Sequence, residues 1–305
     1  MAAISVRNLH KNYGTLKAVD GVSFEVKDRE IFGILGPNGA GKTTTLEMIE
    51  TLREPDSGDI LVDGIEVRKN EKKIKEIIGV QLQNTAFFDN LSVYENVDLF
   101  GSFYSNRRPV NELLEMVDLQ DKKNSMLSEL SGGQHKRVSI VLALVNDPRV
   151  VFLDEPTTGL DPQARRNIWE IIENLKAREK TVVITTHYIE EAERLCDRVA
   201  IMDHGKIIDI GTPAELVRRY SPESDISFKL APEIDRAVIE KITGARNVRN
   251  DGGGGYIVTT GTPRETLLGI LTAARENGAN VDNISMKQAS LEDVFLKMTG
   301  RRIRE

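Results

Sequence analysis

The sequence predicts an α/β fold in two units, a larger one over residues 1–220 and a smaller one over residues 221–305. The chain has 305 residues, which is more than one core of ordinary size needs. Apolar runs of strand length alternate with stretches of helical period, an order typical of α/β proteins. A glycine-rich turn joins one of these strand runs directly to a helical run. With 40% hydrophobic residues, the chain can bury a sizeable core.

The first 60 residues predict strands around a turn-rich centre. Strand runs lie at 3–9, 22–26 and 31–35, and the segment GPNGAGKTTT separates the third run from a helix that begins near Lys42. A hairpin with Asp63-Gly64 at its turn follows. After it come a short charged helix and a strand at 77–82.

A helical insert is predicted over about 88–145, because the apolar residues there recur with helical period. The α/β frame resumes with two buried strand runs, 150–156 and 181–187, separated by a helix at 163–178. A helix at 189–196, a strand at 199–202 and a hairpin close the larger unit near Arg219. A short linker is predicted at 220–224.

The smaller unit predicts an α/β sandwich of ferredoxin-like type. Its segments alternate as strand, helix, strand, strand, helix, strand and helix, at 225–230, 234–242, 245–250, 256–260, 266–277, 281–289 and 291–299. The glycine run at 251–255 predicts a flexible hairpin tip between two strands.

Composition excludes several classes of protein. The most apolar stretch, 138–145, is far shorter than the roughly 20 residues that cross a bilayer as a helix. The first residues lack the apolar core of a secretory signal, so export of the chain itself is not expected. The single cysteine, Cys196, excludes an internal disulfide framework and fits a reducing cytosol. The formal net charge is −6 without a basic tail, so nucleic acid is not an expected partner.

The turn after the third strand matches the pattern G-x-x-x-x-G-K-[ST] in the context that this pattern needs. Glycines there let backbone N–H groups turn toward phosphate oxygens, and the helix adds the positive end of its dipole. Lys42 can reach the β- and γ-phosphates, and the Thr43 hydroxyl can bind Mg²⁺. The expected ATP-binding residues of this loop are Gly36, Pro37, Asn38, Gly39, Ala40, Gly41, Lys42, Thr43 and Thr44.

Two adjacent carboxylates, Asp154 and Glu155, end an apolar strand. A solvated turn would explain such a pair, but a phosphate loop elsewhere in the chain favours the acidic element of a phosphate-cleaving ATPase. We expect Asp154 to hold Mg²⁺. Since a strand alternates sides, Glu155 is placed to activate a water molecule for attack on the γ-phosphorus as the catalytic base.

Between these elements lies LSGGQ, residues 130–134, which is followed by a helical run. A hydroxyl, two unobstructed amides and a helix N-terminus form an anion site there, although a helix cap alone would also explain them. The motif resembles the signature of the ATP-binding cassette (ABC) family, and the resemblance covers nearly all of residues 1–220. It implies a P-loop ATPase with a RecA-like core, an antiparallel β subdomain and a helical insert, using ATP and Mg²⁺.

The resemblance assigns roles to further residues. Ser131, Gly132, Gly133 and Gln134 would contact the ATP of a partner chain. Tyr13 resembles the aromatic residue that stacks on adenine, and His187 resembles the catalytic switch histidine at the γ-phosphate. Gln83 resembles the glutamine that joins the metal to the helical insert, with Gln81 as the alternative, and Asp161 resembles a residue that couples two ATP sites.

The C-terminal residues 289–296 and 299–301 resemble the ending of ABC ATPases of drug and antibiotic exporters. The expected function is therefore that of an ATP-hydrolysing subunit that powers export of drug-like, antibiotic or lipid-like compounds. Its expected partners are a second ATPase subunit, identical or different, and separate membrane permease subunits, at the cytoplasmic face of the membrane. A soluble ABC mechanoenzyme, an importer ATPase and a ligand-sensing role for the smaller unit are the alternatives.

Overall fold

The computed structural model describes residues 2–83, 85–251 and 254–300. The chain divides into two compact units, the first extending to Pro213 and the second beginning at Ala214. The predicted division at 220 stays a prediction. Gly252 and Gly253 of the predicted hairpin tip, and Arg301 of the C-terminal resemblance, lie outside the described residues.

The strands of the first unit form two sheets. They are β1 (Ala2–Tyr13), β2 (Leu16–Lys27), β3 (Ile31–Leu35), β4 (Ser57–Val62), β5 (Ile65–Glu66), β6 (Ile78–Gln81), β7 (Val150–Asp154), β8 (Thr181–Thr186), β9 (Arg198–Asp203) and β10 (Lys206–Gly211). The first sheet is antiparallel, in the order β2-β1-β4-β5. The predicted turn at Asp63-Gly64 is present, with φ of 50° and 73°.

The second sheet has the order β10-β9-β3-β8-β7-β6 and is parallel except for β10. Every residue of β3, β7 and β8 is buried. This burial on both faces explains why these strands have continuous apolar sequences rather than alternating ones. The carboxyl ends of the parallel strands lie at one edge, where loops and side chains that follow different strands can meet.

The helices of the first unit follow the predicted order. They are α1 (Lys42–Ile49), α2 (Glu71–Ile77), α3 (Val93–Gly101), α4 (Val110–Met116), α5 (Gly132–Leu142), α6 (Pro162–Ala177) and α7 (Ile189–Leu195), with short 3₁₀ turns at Val67–Lys69, Gln120–Lys122 and Leu127–Glu129. Capping boxes at Ser92 and Ser131 begin α3 and α5, because each serine hydroxyl accepts a hydrogen bond from the third residue of its helix.

One further helix, α8 (Pro213–Tyr220), was not expected from the sequence. The segment before Arg219 was predicted as the end of a hairpin, and 220–224 was predicted as a linker. Pro213 at the first helical position and the buried Leu216 within the next turn were the available signals. The connection to the next strand, which begins at Ser224, is shorter than predicted, because Tyr220 still belongs to α8 and only residues 221–223 lie between the two elements.

The second unit is built on one antiparallel sheet. Its elements are β11 (Ser224–Ala231), α9 (Arg236–Glu240), β12 (Ala245–Asn250), β13 (Gly255–Thr260), α10 (Pro263–Glu276), β14 (Asn280–Gln288) and α11 (Leu291–Thr299). The strand order is β12-β13-β11-β14. Ile226, Phe228 and Leu230 alternate along β11 and are buried in the core of this unit. The elements occur in the predicted order, and the ferredoxin-like assignment stays a prediction.

Candidate active site

The glycine loop between β3 and α1 has a backbone that only glycine adopts easily. Gly39 and Gly41 have φ of 80° and 101°. A Cβ at Gly41 would lie 2.3 Å from the carbonyl oxygen of Ala18, and a Cβ at Gly36 would lie 2.3 Å from that of Met202. The loop is therefore held tightly against neighbouring backbone, and its conformation depends on the absence of side chains.

Lys42 lies inside this loop and is 4% exposed. Its Nζ donates to the carbonyl oxygens of Gly36 at 2.9 Å and Pro37 at 3.1 Å. The same Nζ lies 3.5 Å from Oε1 of Glu155. Burial lowers the pKa of Lys42, while the Glu155 carboxylate opposes this effect. The loop cation and the carboxylate after β7 thus belong to one site.

Thr43 and Asp154 bring a hydroxyl and a carboxylate together. The Thr43 hydroxyl donates to both carboxylate oxygens of Asp154, at 3.2 and 3.1 Å. The hydroxyl of Thr185 on β8 also donates to Asp154. Burial raises the pKa of Asp154, and the two hydroxyl donors oppose it. Asp154 is therefore a buried carboxylate held by the two elements on either side of it.

Glu155 has a left-handed backbone, with φ of 46°, which is uncommon outside glycine. Its N–H donates to the Thr185 hydroxyl at 3.0 Å, and its Oε2 accepts from the Thr158 hydroxyl at 3.1 Å. Nδ1 of His187 lies 3.2 Å from its Oε1. This histidine, followed by Lys42, lowers the pKa of Glu155 to about 2, although burial opposes the shift. The carboxylate is therefore ionised throughout the neutral pH range.

His187 follows β8 and lies beside Glu155, in a position that the sequence could only suggest. Its ring centroid is 4.2 Å from that of Tyr188, and the guanidinium of Arg165 lies 4.4 Å from the Tyr188 ring. The imidazole is thus held between a carboxylate and an aromatic ring at the edge of the parallel sheet.

A cleft of about 460 Å³ opens over the glycine loop. Its lining residues are Tyr13, Leu16, Lys17, Ala18, Asn38, Gly39, Gly41, Lys42, Thr43, Thr44, Gln83, Glu155 and His204. Tyr13 is 42% exposed, and the Arg53 guanidinium lies 5.4 Å from its ring centroid. The exposed ring and the phosphate-binding loop share one cleft, as a nucleotide with a base at one end and phosphates at the other requires.

The two candidate glutamines occupy different environments. Gln83 lines the cleft, and its Nε2 lies 3.4 Å from Oε2 of Glu155. Gln81, at the end of β6, is 1% exposed and donates to the carbonyl of Leu82. Gln83 is therefore the glutamine that can reach a group bound in the cleft.

The signature residues lie at the start of α5, and none of them is among the described residues that line this cleft. The Ser131 hydroxyl accepts from the N–H of Gln134 at 3.3 Å, and the Gln134 side chain accepts from the N–H of Ser131 at 2.8 Å. A Cβ at Gly132 would meet nothing within 4 Å, whereas one at Gly133 would lie 2.9 Å from Cβ of Ala164. The motif therefore caps its own helix and leaves open space in front of Gly132.

Asp161 is exposed and caps α6, because its Oδ1 accepts from the N–H groups of Gln163 at 2.9 Å and Ala164 at 2.8 Å. Asp161 is not among the described residues that line the cleft. A helix cap is thus a sufficient local reason for an aspartate at this position.

Sequence reasoning missed Thr185 and Thr158, which hold the two catalytic candidates through their hydroxyls. His204, to which the sequence gave no role, is exposed and also lines the cleft. The only available signal for Thr185 was its place near the carboxyl end of a predicted buried strand, a signal that Thr186 shares. The other two positions carry no local pattern that distinguishes them.

The chain is similar to known proteins of one family. Residues 19–158 match the family described as ABC transporter. The chain is 40% identical to the Nod factor export ATP-binding protein I of Burkholderia orbicola, over 100% of this chain and 99% of that protein. The chain belongs to the ABC transporter family. This membership confirms the prediction of an ATP-binding ATPase.

Other ABC relatives are similar over their full length. The chain is 36% identical to the daunorubicin resistance ATP-binding protein DrrA3 of Streptomyces coeruleorubidus, over 99% of this chain and 98% of that protein. It is 34% identical to the linearmycin resistance ATP-binding protein LnrL of Bacillus subtilis, over 99% of this chain and 100% of that protein. The family resemblance therefore extends through the second unit as well as the first.

Solved ABC structures match the first unit. A dimeric ATP-binding cassette in a post-hydrolysis state with ADP and phosphate is 29% identical, with a TM-score of 0.63 over 68% of this chain and 98% of that one. The protein cbiO1 of Clostridium perfringens, part of the ABC transporter complex cbiONQ, is 32% identical, with a TM-score of 0.64 over 72% of this chain and 94% of that one. The predicted P-loop ATPase fold is confirmed.

No helix in the described parts of the chain combines the length and the apolar character that crossing a bilayer requires.

Proposed function

We propose that this chain is the ATP-hydrolysing subunit of an exporter and that hydrolysis takes place at the carboxyl ends of β3, β7 and β8. One observation carries the proposal: Oε1 of Glu155 lies 3.5 Å from Nζ of the loop cation Lys42 and 3.2 Å from Nδ1 of His187. A cation for phosphate charge and a carboxylate for a water molecule thus meet in one cleft, with an imidazole beside the carboxylate.

The donor set supports Mg²⁺ as the metal of this site. Mg²⁺ prefers oxygen ligands and is usually held by one or two protein groups together with phosphates and water. The Thr43 hydroxyl and the Asp154 carboxylate lie 3.1–3.2 Å apart, and Gln83 offers an amide oxygen from the cleft wall. These residues would hold the ion, which when bound neutralises phosphate charge.

Glu155 would act as the general base. Its carboxylate is ionised at neutral pH, so it can accept a proton from a water molecule between itself and the γ-phosphate. The Thr158 hydroxyl and the backbone N–H of Glu155 fix its orientation. His187 would donate toward phosphate oxygens, and Lys42 would offset the charge of the triphosphate.

Tyr13 would stack on the adenine ring at the other end of the cleft. Its exposed ring and the nearby Arg53 guanidinium present a planar, cationic surface to a nucleobase. The loop residues Asn38, Gly39 and Thr44 would contact the phosphates between them.

The signature implies a second copy or a related subunit. The start of α5 offers free helix N–H groups and open space at Gly132, a suitable site for phosphate oxygens of a partner. Because these residues do not line the cleft of their own chain, a head-to-tail dimer would complete each site. Asp161, between the acidic pair and α6, would lie where the two sites communicate.

The names of the relatives favour export over the importer and mechanoenzyme alternatives. Three full-length relatives are named for Nod factor export or for resistance to daunorubicin or linearmycin. We therefore propose separate membrane permease subunits at the cytoplasmic face of the membrane, and a drug-like, antibiotic or lipid-like cargo. Copurification of a protein with several membrane helices would support this assignment; a ribosome or DNA in its place would contradict it.

The catalytic assignment is tested with purified protein in an ATPase assay with Mg²⁺ and with EDTA. Glu155→Gln keeps the size of the side chain but removes its basicity, so kcat should fall by roughly 10²-fold or more while ATP still binds. Glu170→Gln on the exposed face of α6 is the matched control and should leave kcat unchanged. Hydrolysis by Glu155→Gln at the parent rate would place the base elsewhere.

The shared site is tested by light scattering with ATP. Glu155→Gln protein should accumulate ATP-bound dimers because it cannot hydrolyse the nucleotide. Adding Gly132→Asp to that chain should prevent dimers, since a carboxylate would then oppose the phosphates of the partner's ATP. Asn111→Asp, which adds the same charge at the exposed start of α4, should not prevent them. Dimers that persist with Gly132→Asp would leave LSGGQ as a helix cap alone.

A further inference from the structure

A buried carboxylate outside the cleft connects the elements that carry the catalytic candidates. Glu191 lies on α7 and is fully buried, with 0% exposure. Its Oε1 accepts from the Thr157 hydroxyl at 2.9 Å and from the indole N–H of Trp169 at 3.1 Å. Its Oε2 has no hydrogen-bond partner among the described residues. Three segments that are distant in sequence therefore meet at one side chain.

The residues in this contact lie close in the chain to the catalytic candidates Glu155 and His187. Thr157 comes two residues after Glu155, and Glu191 itself comes four residues after His187. Trp169 lies on α6, which packs beside α7, and the tryptophan is 3% exposed. Glu191 therefore links the segment after the general base to α7, the helix that begins two residues after the switch histidine, and α6 donates to the same carboxylate.

An ionisable group at this depth is costly and calls for a reason. Burial raises the pKa of Glu191, and the hydrogen bonds from Thr157 and Trp169 oppose this shift. A leucine could fill the same volume without a desolvation penalty, so packing alone does not explain a carboxylate here. What a carboxylate adds is the capacity to accept several hydrogen bonds at once and to fix the distance between their donors.

The backbone at the site needs such support. Glu155 has a φ of 46°, a conformation that persists outside glycine only when its surroundings determine it. On one side it is held by the Thr185 hydroxyl, and two residues later the chain is tied to Glu191 through Thr157. The N–H of Tyr188, next to His187, donates to the Thr186 hydroxyl at 2.9 Å.

We propose that Glu191 is a positioning residue that holds Glu155 and His187 in the geometry needed for hydrolysis. The proposal rests on the proposed function, because it assigns Glu191 a role only through those two residues. Glu191 does not line the cleft in the described part of the chain, so it contacts neither the nucleotide nor the attacking water. Its loss should lower kcat without lowering the affinity for ATP.

The experiment compares Glu191→Leu with Glu191→Gln in steady-state ATPase kinetics and equilibrium ATP binding. Glu191→Leu removes the acceptor, and we expect kcat to fall about 10-fold or more while KM and Kd for ATP stay within about 2-fold. Glu191→Gln still accepts from Thr157 and Trp169, so kcat should stay within about 3-fold of the parent. Trp169 is the single tryptophan of the chain, and its emission should shift in Glu191→Leu but not in Glu191→Gln.

Two further variants separate positioning from general loss of stability. Thr157→Val removes one donor to Glu191 and keeps the shape of the side chain, so it carries the test even if Glu191→Leu folds poorly. Its kcat loss should not add to that of Glu191→Leu, because both act on the same hydrogen bond. Thr266→Val breaks a buried hydroxyl pair in the second unit and should lower stability without lowering kcat.

The proposal would be overturned if Glu191→Leu and Thr157→Val both have the same kcat as the parent protein. The proposal would also be overturned if Glu191→Leu and Thr157→Val lose no more kcat than Thr266→Val does when all three lose the same stability. Glu155→Gln, measured in parallel, keeps the two claims apart. If Glu155→Gln is inactive while Glu191→Leu is fully active, only the positioning role fails, whereas an active Glu155→Gln refutes the assignment of the base.

Discussion

Glu50, at the carboxyl end of α1, should make the stability of this protein fall with rising pH. The residue is 3% exposed, and its Oε1 has no hydrogen-bond partner among the residues that the structure describes. Burial is the main cause that raises the pKa of Glu50 from its ordinary 4.5 to about 8, and the nearby carboxylates of Asp154 and Glu47 add to it. Folding therefore favours the protonated form of this side chain.

The sign and size of the effect follow from linkage. Below pH 4.5 the carboxyl is protonated in both states, so the stability that its proton contributes is fully present. As pH rises from 4.5 to about 8, the unfolded chain releases the proton while the folded chain keeps it, and stability falls by about 1.4 kcal/mol per pH unit. The whole loss is about 5 kcal/mol as an upper limit, and local relaxation of the site would reduce it.

The perturbation is Glu50→Gln, which has the shape of the protonated acid but does not titrate. Urea unfolding at pH 5 and pH 9, followed by the fluorescence of the buried Trp169, measures the stability of the first unit. The variant should match the parent within about 1 kcal/mol at pH 5 and exceed it by several kcal/mol at pH 9. Glu115→Gln on the exposed face of α4 is the control, and its stability should equal that of the parent at pH 5 and at pH 9.

The difference between parent and variant isolates Glu50 from the other titrating groups. Glu191 also has a raised pKa, but it is present in both proteins and cancels, whereas the coupling between Glu50 and Asp154 belongs to the Glu50 effect and is removed with it. If parent and Glu50→Gln lose the same stability between pH 5 and pH 9, Glu50 ionises as readily in the folded state as in the unfolded state. Its burial would then not have the consequence derived above.

Three further predictions concern the nucleotide cleft. Lys42→Ala should lower ATP affinity and turnover together, because it removes the cation of the loop; equal affinity and rate would contradict the phosphate-loop assignment. Gly41→Ala should lower the melting temperature and abolish ATP binding, since its φ of 101° and the Ala18 oxygen 2.3 Å from the added Cβ exclude a side chain; an unchanged melting curve would refute this. Tyr13→Ala should raise KM for ATP several-fold at constant kcat, whereas Tyr13→Phe should not; an unchanged KM in Tyr13→Ala would show that the ring does not stack.

Much of the fold and of the site follows from local sequence. The glycine loop, the acidic strand end and the capped start of α5 are each encoded within about ten consecutive residues. Their order along the chain indicates the family without knowledge of any contact between them. The helix α8 was missed because its local signal, a proline followed by one buried leucine, competes with the turn signals around it.

The sequence by itself determined which residues could bind phosphate, since a glycine loop with Lys42 and Thr43 works through its own backbone and needs only its neighbours in the chain. It left Gln81 and Gln83 as alternatives, and it gave no sign that Glu191 and Glu50 would be buried. Only the tertiary structure decided these points, because the environment of a side chain depends on which strands and helices pack against it. Nδ1 of His187 lies 3.2 Å from Glu155 because β7 and β8 are paired in parallel and end at the same edge of the sheet, a contact between residues 32 positions apart that no local pattern can specify.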